Sequence, residues 1–496
     1  MEISANMADV APVHHKTKLS PWQWAGILLG AVALAMLLVN SFTSHGGGHG
    51  AAHGEAHVPS VWSVLPFVAL LLCIAVLPLI GATEHWWESN QNRLMAALSF
   101  GAITLTYYLV TQGPEKIVQL LDHAILGEYI PFIVLLFSLY VISGGISLKG
   151  DLAAHPATNT TFLAVGAAIA SFVGTTGASM LLIRPLLQTN QERKHVTHTV
   201  IFFIFLVSNI GGCLLPIGDP PLFLGYLKGV PFLWTMGLWK EWAITCAILL
   251  VVYYFWDMRE YRKETLRDII IDETHKEKLS LDGRLNLVWI AGIVLCVALV
   301  KPGEKLPLTN FTVFPFMREI LMLLLTWMSL KCTSKRIREA NQFNYHAILE
   351  VAALFIGIFI CMQAPIEILR ASGEQLQPLL SSATRFYWAT GALSSFLDNA
   401  PTYVVFLETA SSMTPEGAAG AVPLVGGAAI VTELLVAISL GSVFMGAMTY
   451  IGNGPNFMVK SIAEQSGIRM PSFFGYMLYS CGILIPIFLV VTWIFL

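Results

Sequence analysis

Apolar blocks of roughly 16–25 residues follow one another along most of the chain, and a helix of about 20 residues crosses the roughly 30 Å hydrocarbon core of a bilayer. They run at 21–40, 61–80, 92–111, 129–147, 240–256, 285–300, 313–330, 345–364 and 472–495. Only helices and closed barrels satisfy their own backbone in lipid, so blocks of helical length predict an all-α polytopic membrane protein in contact with lipid. Composition agrees: 55% of the 496 residues are hydrophobic and 12% charged, against about 25% charged in soluble domains. A net charge of −3 offers no basic surface for nucleic acid. The seven cysteines are scattered and form no CxxC pair, which argues against disulfide or metal chemistry. With no convergent nucleophile and base either, the chain reads as a non-enzyme without a cofactor. The first block, Pro21–Asn40, resembles a signal h-region, but its length and the lack of a small-residue cleavage site favour a retained helix.

Two regions do not read as simple helices. In 161–236 the apolar run reaches Phe172, breaks at Gly174-Thr175-Thr176-Gly177 and resumes to Leu187; Val200–Leu215 is then interrupted by Pro216-Ile217-Gly218-Asp219-Pro220-Pro221. In 382–466 a break at Asp398-Asn399-Ala400-Pro401 is followed by apolar sequence to Ala410 and through 421–450, up to Ile451-Gly452-Asn453-Gly454-Pro455-Asn456. The two regions align. Ser171-Phe172-Val173 stands against Ser395-Phe396-Leu397 at an offset of 224, and Ile217-Gly218-Asp219 against Ile451-Gly452-Asn453 at an offset of 234. The sequence therefore divides into an N-terminal helix and His/Gly-rich loop (1–60), a first repeat (61–256), a charged linker (257–284) and a second repeat (285–496). Internal repetition of this kind constrains the fold more than any single motif.

Lysine and arginine set the orientation. Segments 257–284 and 331–338 hold basic clusters and are expected on the cytoplasmic side, as are Arg193, Lys194, Lys16 and Lys18. This threading makes the N-terminus cytoplasmic, in the cell inner (plasma) membrane. It brings the hairpin 150–190 in from the cytoplasm and the hairpin 382–411 from outside. The expected fold is an inverted structural repeat with two re-entrant hairpins and two discontinuous transmembrane helices.

Backbone interrupted inside hydrocarbon must be satisfied by protein or by a watery cavity. Proline-broken half-helices free carbonyls for a cation and aim N-termini at an anion; kinks in packed helices are the plainer reading. Asp219 and Asp398 sit in such breaks, where an ionisable group is costly unless it is paired or hydrated. Each can alternate between a proton and a cation, or can cap a helix. Asn399, Asn453, Asn456, Thr175, Thr176, Ser179, Thr402, Ser208 and Asn209 supply oxygens of the type hard cations take, or helix–helix hydrogen bonds. Glu350 and Glu433, in apolar helices, join the two aspartates as proton-relay candidates, or sit at wet interfaces. Arg184 either holds an anion or snorkels to headgroups. His45, His49, His53 and His57 form a loop that binds zinc or copper transiently or acts as a disordered tether.

Ser208-Asn209-Ile210-Gly211-Gly212 with Pro216-Ile217-Gly218-Asp219-Pro220-Pro221, together with Leu397-Asp398-Asn399-Ala400-Pro401-Thr402, resembles the ion-transporter superfamily. Within it the likeness is to sodium/proton antiporters of the NhaD type and their citrate-transporter-domain relatives, over about residues 60–496. The resemblance implies a homodimer with a scaffold (61–111 and 285–330) beside a transport domain that moves as an elevator. Dicarboxylate members carry Ser-Asn-Thr at both hairpin tips. Here the tips read Gly174-Thr175-Thr176 and Asp398-Asn399-Ala400, and an acid at a tip repels a carboxylate. The expected function is exchange of Na+ or Li+ for H+; the alternatives are sodium-coupled import of a di- or tricarboxylate and arsenite permeation.

Overall fold

A computed structural model describes residues 58–496 apart from 275, 308, 373, 374, 376, 377, 381 and 416. The helix at 21–40 and the histidines at 45, 49, 53 and 57 lie outside the described residues. Among those described, seven helices are long and apolar enough to cross a membrane, and the protein is an all-α polytopic membrane protein.

The first repeat contains α1 (Leu65–Val76), α2 (Asn90–Gln112), α3 (Ile130–Ser143), α4 (Pro156–Val173), α5 (Thr175–Thr189), α6 (Thr197–Leu206), α7 (Pro220–Leu227) and α8 (Trp239–Tyr261). The second contains α9 (Leu285–Leu299), α10 (Met317–Cys332), α11 (His346–Cys361), α12 (Ala383–Phe396), α13 (Asn399–Ser412), α14 (Thr432–Met445), α15 (Gly454–Gln465) and α16 (Phe473–Phe495). Helices α2 and α11 pack closely. A Cβ on Gly357 would stand 2.5 Å from the Ala97 carbonyl oxygen, so only glycine lets these backbones touch. Small residues at crossings are the usual means of packing helices in lipid, where apolar burial alone gives no preference for protein over acyl chain.

Packing repeats between the halves. The α4–α5 hairpin lies against α15, and α13 of the other hairpin lies against α7, so each hairpin packs on the broken helix of the opposite half. Helix α6 is the most enclosed: every residue from His198 to Leu206 is buried. A helix apolar on all sides belongs inside a bundle.

Two short antiparallel ladders mark opposite ends of the molecule. Strand β1 (Ser147–Asp151) pairs with β2 (Glu277–Asp282), with Ser147 opposite Asp282 and Lys149 opposite Ser280. The segment joining the halves is thereby fixed beside the start of α4. Strands β3 (Ala421–Pro423) and β4 (Ala429–Val431) form a hairpin whose turn meets the end of α7, Val425 N–H donating to Lys228 O at 2.8 Å. Thus α8 leaves the β3–β4 end and finishes beside β2. Its counterpart α16 runs the other way, since Arg469, just before it, accepts from Thr197 at the start of α6 and its final Leu496 accepts from Thr384. Corresponding helices run oppositely, which is the inverted repeat.

Three local differences from the sequence pattern have physical causes. The apolar block 61–80 does not continue straight: Val61–Val76 and Gly81–Trp87 meet at 105°, across Pro78. The interruption after α6 begins at Val207, nine residues before Pro216, because Asn209 leaves helical geometry (φ −138°, ψ −82°). The apolar run 421–431 is the β3–β4 hairpin, consistent with its glycines and β-branched residues.

Candidate functional site

All four half-helices begin at the same place. Helices α5 and α13 start at the hairpin tips, at Thr175 and Asn399, and α7 and α15 start after Asp219 and Asn453. The tight turns before α7 and α15 need glycine: a Cβ on Gly218 would lie 2.2 Å from Gly212 O, and one on Gly452 2.6 Å from Gly446 O. These pairs match across the repeat. So do two hydroxyl bonds, Ser171 Oγ to Gly211 O at 2.5 Å and Ser395 Oγ to Met445 O at 3.2 Å.

Asp219 is the centre of the site and is 1% exposed. Its Oδ1 accepts from Thr175 Oγ1 at 2.9 Å and from Asn453 Nδ2 at 3.1 Å; its Oδ2 accepts from Asn399 Nδ2 at 2.8 Å. These donors come from both hairpin tips and from the opposite broken helix. Aspartate and asparagine before a helix ordinarily cap it. Neither Asp219 nor Asn453 makes a side-chain cap bond; the two side chains turn to each other. Asp398 is the half-buried cap of α13, its Oδ1 accepting from Ala400 N–H at 3.0 Å. The hairpin residue that reaches Asp219 is its neighbour Asn399.

A second layer of amides holds the first. Asn453 Nδ2 also donates to Ser208 O and Asn209 Oδ1, both at 3.2 Å. Asn209 Nδ2 donates to Asn456 Oδ1 at 2.7 Å, and Asn456 Nδ2 to Gly446 O and Thr449 O. Ser208 Oγ and Ser179 Oγ are 2.8 Å apart. Asn399 Oδ1 is buried and has no hydrogen-bond partner among the described residues. Buried polar atoms are ordinarily satisfied, so this oxygen, on the residue whose amide binds Asp219, is an acceptor available to a ligand.

Other candidates lie apart from this cluster. Thr402 Oγ1 bonds back to Asp398 O within α13, and Thr176 is half-buried at the start of α5. Glu350 pairs with Arg93 Nη1 at 2.8 Å, between α11 and α2. Glu433 is exposed in the first turn of α14. Arg184 donates to Gln342 Oε1 at 2.9 Å, near the start of α11.

Sequence reasoning missed a buried ion network. Lys228 Nζ lies 2.5 Å from Glu128 Oε1 and 3.1 Å from Glu408 Oε1. Arg370 holds Glu408 in two parallel bonds, Nε to Oε2 at 2.9 Å and Nη2 to Oε1 at 3.0 Å. His123 lies 3.4 Å from the same Glu128 oxygen, and Gln363 Nε2 donates to the other, Oε2, at 3.3 Å. These residues join the end of α7 and α13 to helices next to α3 and α11, and their wide separation in sequence leaves no local motif.

The site has the oxygen-rich, partly charged character of an ion-binding centre built at broken helices, and no cluster of histidine, cysteine, aspartate and glutamate able to hold a resident metal occurs among the described residues. No curated protein matches the sequence. Residues 55–496 match the model of a family described as "Putative citrate transport". The chain accordingly belongs to this citrate-transporter-like family of the ion-transporter superfamily, whose members are membrane transporters rather than enzymes.

Proposed function

We propose that the protein is a secondary active antiporter exchanging Na+ or Li+ for H+ at Asp219. The observation that carries this reading is the buried carboxylate surrounded by neutral donors and amide oxygens, with no lysine or arginine among its hydrogen-bond partners. A carboxylate without a protein cation takes its positive charge from a bound ion or from a proton. When a cation enters, the Thr175 hydroxyl rotates and the Asn399 and Asn453 amides turn their oxygens inward, so donors to a carboxylate become ligands of the ion. Proton and cation compete for one group, and exposing it alternately to each side is sufficient for exchange. Asp398, at the same hairpin tip, adds negative potential.

Alternating exposure is carried by an elevator movement. The two hairpins and two broken helices move together past a scaffold that includes α1, α2, α9 and α10. Two scaffolds forming a homodimer in the inner membrane give the moving parts a fixed reference.

A second reading, import of a carboxylate with a coupling cation, is favoured by the family's description. It is also favoured by the meeting of four helix N-termini, each equivalent to about half a positive charge. Proteoliposomes enclosing a pH-sensitive dye separate the two. Antiport predicts that Na+ or Li+ alone dissipates a pH gradient, with no organic acid present, and that Asp219→Asn abolishes the response. Sodium-driven accumulation of citrate without any cation-induced proton movement overturns it in favour of the second reading.

A further inference from the structure

A cleft of about 1560 Å3 opens on the side of the protein between α4 and α9, reaching from the α4–α5 hairpin to the β1–β2 ladder. Ordinary small-molecule pockets hold about 300–1,000 Å3. Along the cleft stand Val165 and Phe172 of α4, Leu287 and Leu295 of α9, and Leu279 of β2. All five are between 43 and 57% exposed. From Ala157 to Val173 the lining follows one face of α4 for about 24 Å, at 1.5 Å per residue. That length matches most of a bilayer's hydrocarbon depth. Both walls are apolar helices of a membrane protein, so the material meeting this surface is hydrocarbon.

The end at the ladder is different. Lys276, Lys278, Glu277 and Asp151 line it beside Thr158. The lysines and Glu277 are exposed. The nearby pairs Lys149–Asp282, at 2.8 Å, and His155–Glu273, at 3.7 Å, involve neither lysine. One end therefore presents cations and carboxylates together, and beyond Thr161 the rest presents apolar side chains. A purely anionic headgroup would leave the carboxylates facing negative charge; a purely cationic one would do the same to the lysines.

We propose that this cleft binds one phospholipid whose headgroup carries both a phosphate and a primary ammonium, its acyl chains lying between α4 and α9 and its headgroup between the lysines and carboxylates of the ladder end. The phosphate meets Lys276 and Lys278, and the ammonium donates hydrogen bonds to the exposed Glu277. A quaternary ammonium has no N–H to donate, so the site separates the two zwitterionic headgroup types. The lipid wedges a hairpin helix against α9, and the hairpin's next residues are Gly174 and Thr175, the latter bonded to Asp219.

The test is native mass spectrometry of the full chain, purified in detergent and incubated with equal amounts of phosphatidylethanolamine, phosphatidylcholine and phosphatidylglycerol. The expected result is one retained phosphatidylethanolamine, favoured at least about tenfold over either competitor, the contribution of one ammonium hydrogen bond to a carboxylate. Lys276→Gln with Lys278→Gln, at exposed positions that leave the core intact, lowers that retention about fivefold or more. Ala291→Trp, which fills the cleft from α9, removes the adduct while the protein remains monodisperse. The proposal is overturned if no adduct is retained, if phosphatidylglycerol or phosphatidylcholine is held as well, or if the lysine substitutions leave retention unchanged. It is equally overturned if Ala291→Trp dissociates a dimer, since a second copy of the chain then occupies the cleft.

Discussion

Asn453 Nδ2 donates to Asp219 Oδ1 at 3.1 Å, and the two residues hold the same place in the two repeats, each ahead of the second half of a broken helix. The duplication has thus kept the position and varied the charge. One half supplies the acid, and the other supplies a neutral partner of nearly the same shape that stabilises the acid without neutralising it. A site with one central carboxylate where symmetry allows two can bind a monovalent ion without a large excess of negative charge.

Asp219→Asn removes that charge while keeping the shape. Two unit charges 4 Å apart at an effective dielectric of 20 interact by about 4 kcal/mol, so Na+ affinity should fall by more than about 100-fold and the response be lost at Na+ concentrations that saturate the parent protein. The check is cation-induced fluorescence recovery in proteoliposomes, with a size-exclusion profile to show that the variant folds.

Proton competition fixes the direction of the pH response. Acidifying the side from which Na+ is presented should raise the apparent KM for Na+ and leave the maximal rate at saturating Na+ nearly unchanged. A maximal rate that falls while KM stays constant would place the titrating group away from the cation site. Rates measured over a grid of pH and Na+ concentration distinguish the two.

Asn399→Leu deletes the buried amide oxygen that turns to the cation, a loss that outweighs that of the donor to the ion-free carboxylate. Bonds to charged groups contribute about 1.5–3 kcal/mol, so a loss of about tenfold or more in Na+ affinity is expected. Asp398→Asn should cost less, because an asparagine can still accept from Ala400 N–H and cap α13. Transport titrations of both variants, side by side, rank the two residues.

Lys228→Met leaves Glu128 and Glu408 buried without their shared cation. Removing one partner of a buried ion pair costs about 3–5 kcal/mol. The melting temperature should fall clearly, and adding Glu128→Gln to the same chain should recover part of the loss. Equal melting for the single and double variants would show that Arg370 and His123 already compensate.

Gly357→Val would push a side chain into the Ala97 carbonyl and separate α2 from α11, at an overpacking cost of about 1–3 kcal/mol. Gly482→Ala, on α16 with nothing within 4 Å of its added Cβ, should melt like the parent protein. Thermal unfolding in detergent compares them.

The elements legible in the sequence are those whose cause is local. Prolines and glycines interrupt apolar runs wherever the chain lies, so Pro220, Gly174 and Gly452 announced their breaks, and the matched order of those breaks announced the repeat. Asp219 was legible because an acid amid hydrocarbon is expensive anywhere. The choice between Asp398 and Asn399 was not, since the tip's final turn decides which of two adjacent side chains crosses to the other half. The network of Glu128, Lys228, Arg370 and Glu408 was hidden for another reason: its members come from four segments, and ion pairing has no periodicity. The 421–431 stretch misled because β-branched and apolar residues suit a strand as well as a buried helix, and only its glycines hinted at the turn.

The pairing of β1 with β2 has a consequence for how the polypeptide can be divided. Strand β2 lies in the covalent bridge between the repeats, yet its ladder partner belongs to the first. A chain cut ahead of β2, near residue 263, leaves the second fragment carrying a strand that docks on the first, a ready-made handle for reassembly of co-expressed halves. A cut after Asp282 keeps the whole ladder in the first fragment and removes that handle, so the same two halves would have to find each other through their helix faces and isolated contacts such as Val425 with Lys228.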